Sequence, residues 1–232
     1  MNNSDMIEQE KSVLRWGGLA GILGGAIFIL SMVVALVFVP AEPPTFTELV
    51  ARFPDVQILR FMENITYLLG LVLGIPLILA LFFSLRKTSL APALFGSVIS
   101  IVGLIGMIVF ATPHVAHSSL SEIYHTAGTT LEAQETLGLI WQAIWGVTDT
   151  PLYVGFFVGM LGFTLLGVAM FGSQDFGKGL RWVSVVLGAA GLVAALLQLI
   201  DPASDIGALS FITYIIFYFI LGIKIYRLSK AS

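Results

Sequence analysis

Apolar residues run almost unbroken through six stretches of the chain, at 16–39, 65–85, 90–111, 152–171, 180–200 and 206–223, and polar residues gather between them. Each stretch holds about 20 residues, the length an α-helix needs to cross a hydrocarbon core about 30 Å thick. Backbone in lipid must satisfy its own hydrogen bonds, so uncharged runs of this length predict helices. The expected fold is all-α: a polytopic six-transmembrane-helix bundle, one integral membrane domain over 1–232, with a partly helical extracytoplasmic cap.

The stretch 138–171 organises the rest. Its only charge is Asp149, followed by Thr150 and Pro151. As one helix it would be about 50 Å long, too long for the core alone. The pattern therefore predicts a break at Asp149-Thr150-Pro151. A span follows at 152–171, and a separate helix over 138–148 carries Trp141 and Trp145 at or above the membrane surface. Span 2 has a similar prelude. Thr45-Phe46-Thr47-Glu48 is a capping box that opens a short helix, and Asp55 caps the next. Residues 56–64 then project outward, with Gln57, Arg60, Asn64 and Tyr67 as one polar stripe at helical spacing and Glu63 beside it. Pro76 predicts a kink in span 2. Residues 1–10 are polar and read as loose. Span 3 ends at Thr112-Pro113, and Thr129-x-x-Glu132 reads as a second capping box. Asp201-Pro202-Ala203-Ser204-Asp205 reads as a tight turn. Gly17, Gly21 and Gly25, four apart, allow close helix approach.

Charge then orients the layout. Lys11, Arg15, Arg86, Lys87, Lys178, Arg181, Lys224, Arg227 and Lys230 fall on one side of a six-span arrangement. Only Arg52 and Arg60 fall on the other. The positive-inside rule places both termini in the cytoplasm. Composition agrees: 57% of residues are hydrophobic and 11% charged, against about 25% charged in soluble domains. With no cysteine, disulfides, thiolate metal sites and cysteine nucleophiles are excluded. Lys11 and Arg15 precede the first apolar run as in a signal peptide. That run is longer than the usual 7–15 residues, so it reads as a retained span.

The run Leu81-Phe82-Phe83-Ser84-Leu85-Arg86-Lys87, the restart Ser89-Leu90-Ala91-Pro92-Ala93-Leu94 and the span opened by Leu180-Arg181-Trp182 resemble the bacterial membrane proteins grouped as DUF4386. The resemblance covers nearly the whole chain. It implies a multi-pass protein of the bacterial plasma membrane, and it carries no activity with it.

Candidate chemistry lies on the outer side. Glu42, Glu48, Asp55, Glu63, Glu122, Glu132, Glu135, Asp149, Asp201 and Asp205 map there. They keep outer loops wet, or they form a mouth that attracts cations. Asp149 caps span 4 and Glu63 pairs with Arg60; alternatively Arg60, Glu63, Asn64 and Asp149, with Tyr153, converge on one ligand pocket beneath Trp141 and Trp145. The two tryptophans fit an aromatic belt at headgroup level or a lid over a hydrophobic ligand. His114, His117 and His125 share a helix face with Ser121 and supply the only metal-like set. Zinc accepts three imidazoles and a water, and Glu122 or Asp149 would serve as base. No phosphate-binding glycine loop or Ser-His-Asp arrangement is visible, and the basic turns are too short for nucleic acid.

The expected role is non-enzymatic: binding or passing a small or lipid-like ligand through an acidic outer pocket, with no cofactor. The alternative is a membrane-embedded, zinc-assisted enzyme acting on a lipid-like substrate. Membrane lipids are the expected partners, with a small-molecule ligand, and oligomeric state is left open.

Overall fold

The computed structural model describes residues 3–111, 114–201, 204 and 206–231, with only the backbone for 3–6, 114 and 115. Seven α-helices occur among them: α1 (Asn3–Val33), α2 (Phe46–Leu85), α3 (Leu90–Phe110), α4 (His114–Tyr124), α5 (Leu131–Ala169), α6 (Lys178–Ile200) and α7 (Gly207–Leu228). No strand occurs among the described residues. All but α4 are long and apolar enough to cross a membrane. Thr112, Pro113, Pro202, Ala203 and Asp205, part of the expected helix end and turn, lie outside the described residues.

The helices run further than their apolar cores. The chain is helical from Asn3, so the polar start is not loose. Glu10 gives this segment a reason to fold, because its carboxylate bonds to Arg86 and, at 2.9 Å, to Lys87 in the α2–α3 turn. Thr45 caps α2 as expected, accepting from the Glu48 N–H. Asp55 caps nothing: α2 continues through Pro54 and Pro76 for 40 residues. The break expected at Asp149-Thr150-Pro151 is likewise absent, and α5 runs unbroken for 39 residues. Its cap is Thr130, bonded to the Ala133 N–H, whereas Thr129 turns back to the Ile123 and Thr126 carbonyls. At about 1.5 Å per residue α2 and α5 are each nearly 60 Å long, about twice the hydrocarbon thickness.

Proline is tolerated inside a membrane-protein helix when a neighbour satisfies the carbonyl it strands. Pro54 strands the carbonyl of Val50, and Ser121 of α4 donates its hydroxyl to that oxygen at 3.0 Å. Gln57 donates to Ser118 on the same helix at 3.1 Å. Around these bonds Val50, Phe53, Val56, Leu120, Leu137 and Trp141 bury a small apolar core of their own. A second layer, built from α4 and the N-terminal halves of α2 and α5, thus stands on the bundle.

In the bundle α1 packs between α2 and α7, α3 between α2 and α5, and α6 between α5 and α7, closing a ring. Small residues set the spacing. A Cβ on Gly103 would strike the backbone of Gly159, so α3 and α5 touch main chain to main chain. Outward-facing positions such as Val98, Val102, Val186 and Val193 are exposed and apolar, as suits a lipid-facing surface.

One end of the ring collects the basic residues. Glu10 meets Arg86 and Lys87, Gly18 packs on Tyr226, and Gly172 packs on Ser89. Arg181 bonds the Ser173 carbonyl at 2.6 Å, and Lys224 lies 5.9 Å from the Phe176 ring centre. Helix 1 therefore begins, and helix 7 ends, at this basic end. Trp16 and Trp182 are exposed there, where an interfacial aromatic belt would lie.

Candidate functional site

A cavity opens at the opposite end, between the N-terminal halves of α2 and α5 and the helix α4. It is lined by Leu49, Arg52, Phe53, Val56, Arg60, Glu63, Asn64, Phe110, His117, Trp141 and Trp145, and has a cavity volume of about 70 Å³.

The polar stripe of α2 builds one wall. Arg60 is held between two carboxylates, with Nη1 3.0 Å from Glu63 and Nη2 2.6 Å from Glu42. Asn64 donates to the Arg60 carbonyl at 2.8 Å, which fixes its side chain along the helix. Arg52, two turns earlier, donates from Nη1 to the Ala41 carbonyl at 2.6 Å. Its Nε is buried and meets no hydrogen-bond acceptor among the described residues.

Aromatic rings build the facing wall. His117 lies flat on Trp141, ring centres 4.0 Å apart and planes within 15°. Phe53 meets Trp141 edge-on at 5.2 Å. Trp141 is 2% exposed, so it belongs to the core of the second layer and not to a headgroup belt. Its indole N–H finds no acceptor among the described residues.

Glu63, Asn64 and Phe110 also line a second chamber, deeper in the bundle, of about 270 Å³. Its other walls are mostly apolar, with Met32, Ala35, Leu36, Leu152, Phe156, Ala208 and Phe211, and Ser31, Tyr67 and Gln198 are the polar exceptions. Ala35 and Leu36 belong to a π-helical turn, Val34–Phe38, that ends α1; such turns recur at functional sites. Two polar groups in this chamber, the Tyr67 hydroxyl and Gln198 Oε1, have no partner among the described residues.

Five of the seven residues expected in a ligand pocket, Arg60, Glu63, Asn64, Trp141 and Trp145, line the upper chamber, and His117 joins them. Asp149 and Tyr153 do not line it. Asp149 sits inside α5 with Trp145 and Tyr153, one turn either side, as its polar partners. Because α5 does not break, Asp149 has no free helix end to cap.

The histidines separate. His117 is buried against Trp141, while His125 lines a different cavity with Gln57, Ser121 and Glu122 and holds its Nδ1 2.8 Å from the Ser121 carbonyl. The His114 side chain lies outside the described residues. Among the described residues no three His, Asp or Glu side chains are grouped to hold a metal.

Sequence reasoning missed Arg52, Phe53, Phe110 and the whole inner chamber. Two signals were present. Arg52 and Arg60 are the only Lys or Arg away from the basic end, and Gln198 is the one amide in an otherwise apolar span.

Fold and cavities together define an all-helical protein with six helices long and apolar enough to cross a membrane and two neighbouring cavities that share Glu63, Asn64 and Phe110. No protein-family model, curated protein or solved structure matches the chain.

Proposed function

We propose that this is a non-enzymatic, multi-pass protein of the bacterial cytoplasmic membrane, akin to the DUF4386 proteins, that binds or passes a small, lipid-like ligand. Both termini lie in the cytoplasm and the cavity opens outward. The gathering of nine Lys and Arg residues at one end supports this orientation, since such residues are retained on the cytoplasmic side.

The observation that carries the reading is the shared layer of Glu63, Asn64 and Phe110, with a chamber holding Arg52 and Arg60 on one side and a mostly apolar chamber without Lys or Arg on the other. An amphiphile matches that division. Its chain leaves water in the inner chamber at about 0.8 kcal/mol per buried CH₂, and its head meets polar groups above. Glu42 and Glu63 supply the acidic part of the mouth, and Arg52 and Arg60 balance it.

The test uses quenching of Trp141 and Trp145 fluorescence, in a protein with Trp16→Phe and Trp182→Phe, by an amphiphile with a brominated dodecyl chain. Saturable quenching that is lost on filling the inner chamber with Ala208→Phe supports the reading. Non-saturable quenching by every such amphiphile, unaffected by Ala208→Phe, overturns it.

A further inference from the structure

From the unmet donors of the upper chamber we infer that the head of the ligand is an anion, a carboxylate or a phosphate, and that Arg52 receives it. This rests on the two-chamber reading above and adds the ligand's charge to it.

Arginine on the outer side runs against the charge bias that orients membrane proteins, so Arg52 and Arg60 each call for a local reason. Arg60 has one, because Glu42 and Glu63 hold it. Arg52 has no carboxylate within salt-bridge distance among the described residues. Among the described residues its one hydrogen bond goes to a backbone carbonyl, and its buried Nε meets no acceptor. Buried donors are nearly always met by a protein group or an ordered partner.

A second observation points the same way. Trp141 lines the same chamber, and its indole N–H is buried and meets no acceptor among the described residues. Indole and guanidinium are donors only. The polar groups that Arg52 and Trp141 bring to this chamber only donate, and carboxylate and phosphate, which only accept, are complementary to them. A guanidinium also matches their planar or tetrahedral oxygens in a two-point fork. A cation resting on the Trp141 and Trp145 faces would leave both donors unmet and would lie against Arg52.

The experiment compares one brominated dodecyl chain carrying four heads: carboxylate, phosphate, uncharged glycerol ester and trimethylammonium. Inorganic phosphate and acetate are added as competitors. The carboxylate and phosphate forms should bind about tenfold more tightly than the glycerol ester, the scale of one charge-assisted hydrogen bond. Arg52→Gln should abolish that difference, so that within this variant the carboxylate and phosphate forms bind no more tightly than the glycerol ester, and Arg52→Lys should keep part of it. Displacement of the head by inorganic phosphate alone, lost in Arg52→Gln, assigns the anion site to a soluble ligand; no displacement assigns it to a lipid. Either result supports the anion site. Equal binding of all four heads, or tightest binding of the trimethylammonium form, overturns the inference and leaves the two chambers standing. Absence of saturable binding by any head overturns the two-chamber reading itself.

Discussion

The Ser121 hydroxyl donates to the Val50 carbonyl at 3.0 Å, 71 residues away in sequence. Val50 lies four residues before Pro54, so its carbonyl is the one that proline leaves without a helical N–H. One side chain of α4 thereby repairs α2 and docks the second layer on the bundle. Ser121→Ala should cost about 1–3 kcal/mol, the penalty for stranding a buried acceptor, measured as loss of thermal stability. In a Pro54→Ala background, where the helix regains its own N–H, the penalty of Ser121→Ala should shrink. An equal loss in both backgrounds would show that this bond does not repair the helix.

The Tyr218 hydroxyl occupies the notch left by Gly74. A Cβ there would collide with it, and the hydroxyl itself is buried with no partner among the described residues. Gly74→Ala should therefore lower the melting temperature, and adding Tyr218→Phe should recover part of the loss. Tyr218→Phe alone should leave stability unchanged or raise it, because a buried unmet hydroxyl stabilises nothing. A large loss from Tyr218→Phe alone would mean that the hydroxyl is bonded.

The two carboxylates on Arg60 should differ in weight. Glu42 is 46% exposed and Glu63 21%. Glu42→Gln should cost less than about 1 kcal/mol, as exposed ion pairs do. Arg60→Met, which leaves the half-buried Glu63 unpaired, should cost clearly more, and Glu63→Gln in that background should restore part of it. Chemical denaturation of the four proteins decides the order.

Orientation is checked by single cysteines, which this cysteine-free chain reports without background. A membrane-impermeant maleimide should label Thr126→Cys, on the cavity side, in intact cells. It should label Gln174→Cys, beside the basic loop, only after permeabilisation. The reverse pattern would invert the proposed topology.

Zinc is not expected to matter. The His117 ring lies flat on Trp141, and His125 lines a separate cavity. Chelation should leave the melting temperature unchanged, and protein purified without metal should bind no stoichiometric zinc. One zinc per chain, lost in His125→Ala, would restore the histidine site.

Six apolar stretches long enough to cross a membrane and a basic end are properties of the chain read one residue at a time. Transfer of a 20-residue apolar helix into lipid depends on its own side chains, and the charge bias depends only on which turns hold Lys and Arg. The polar stripe of Gln57, Arg60 and Asn64 was legible for the same reason, since helical spacing alone puts those residues on one face.

Tertiary structure decided the rest. Pro54 and Asp149-Thr150-Pro151 look like breaks because a lone helix cannot meet a stranded carbonyl; whether it is met depends on a partner such as Ser121, far away in the chain. Trp141 resembles an interfacial anchor until α4 covers it with His117. Arg52 and Trp141 come to line one chamber only when α2 and α5 stand side by side, because burial and hydrogen-bond satisfaction are relations between residues that no local pattern contains.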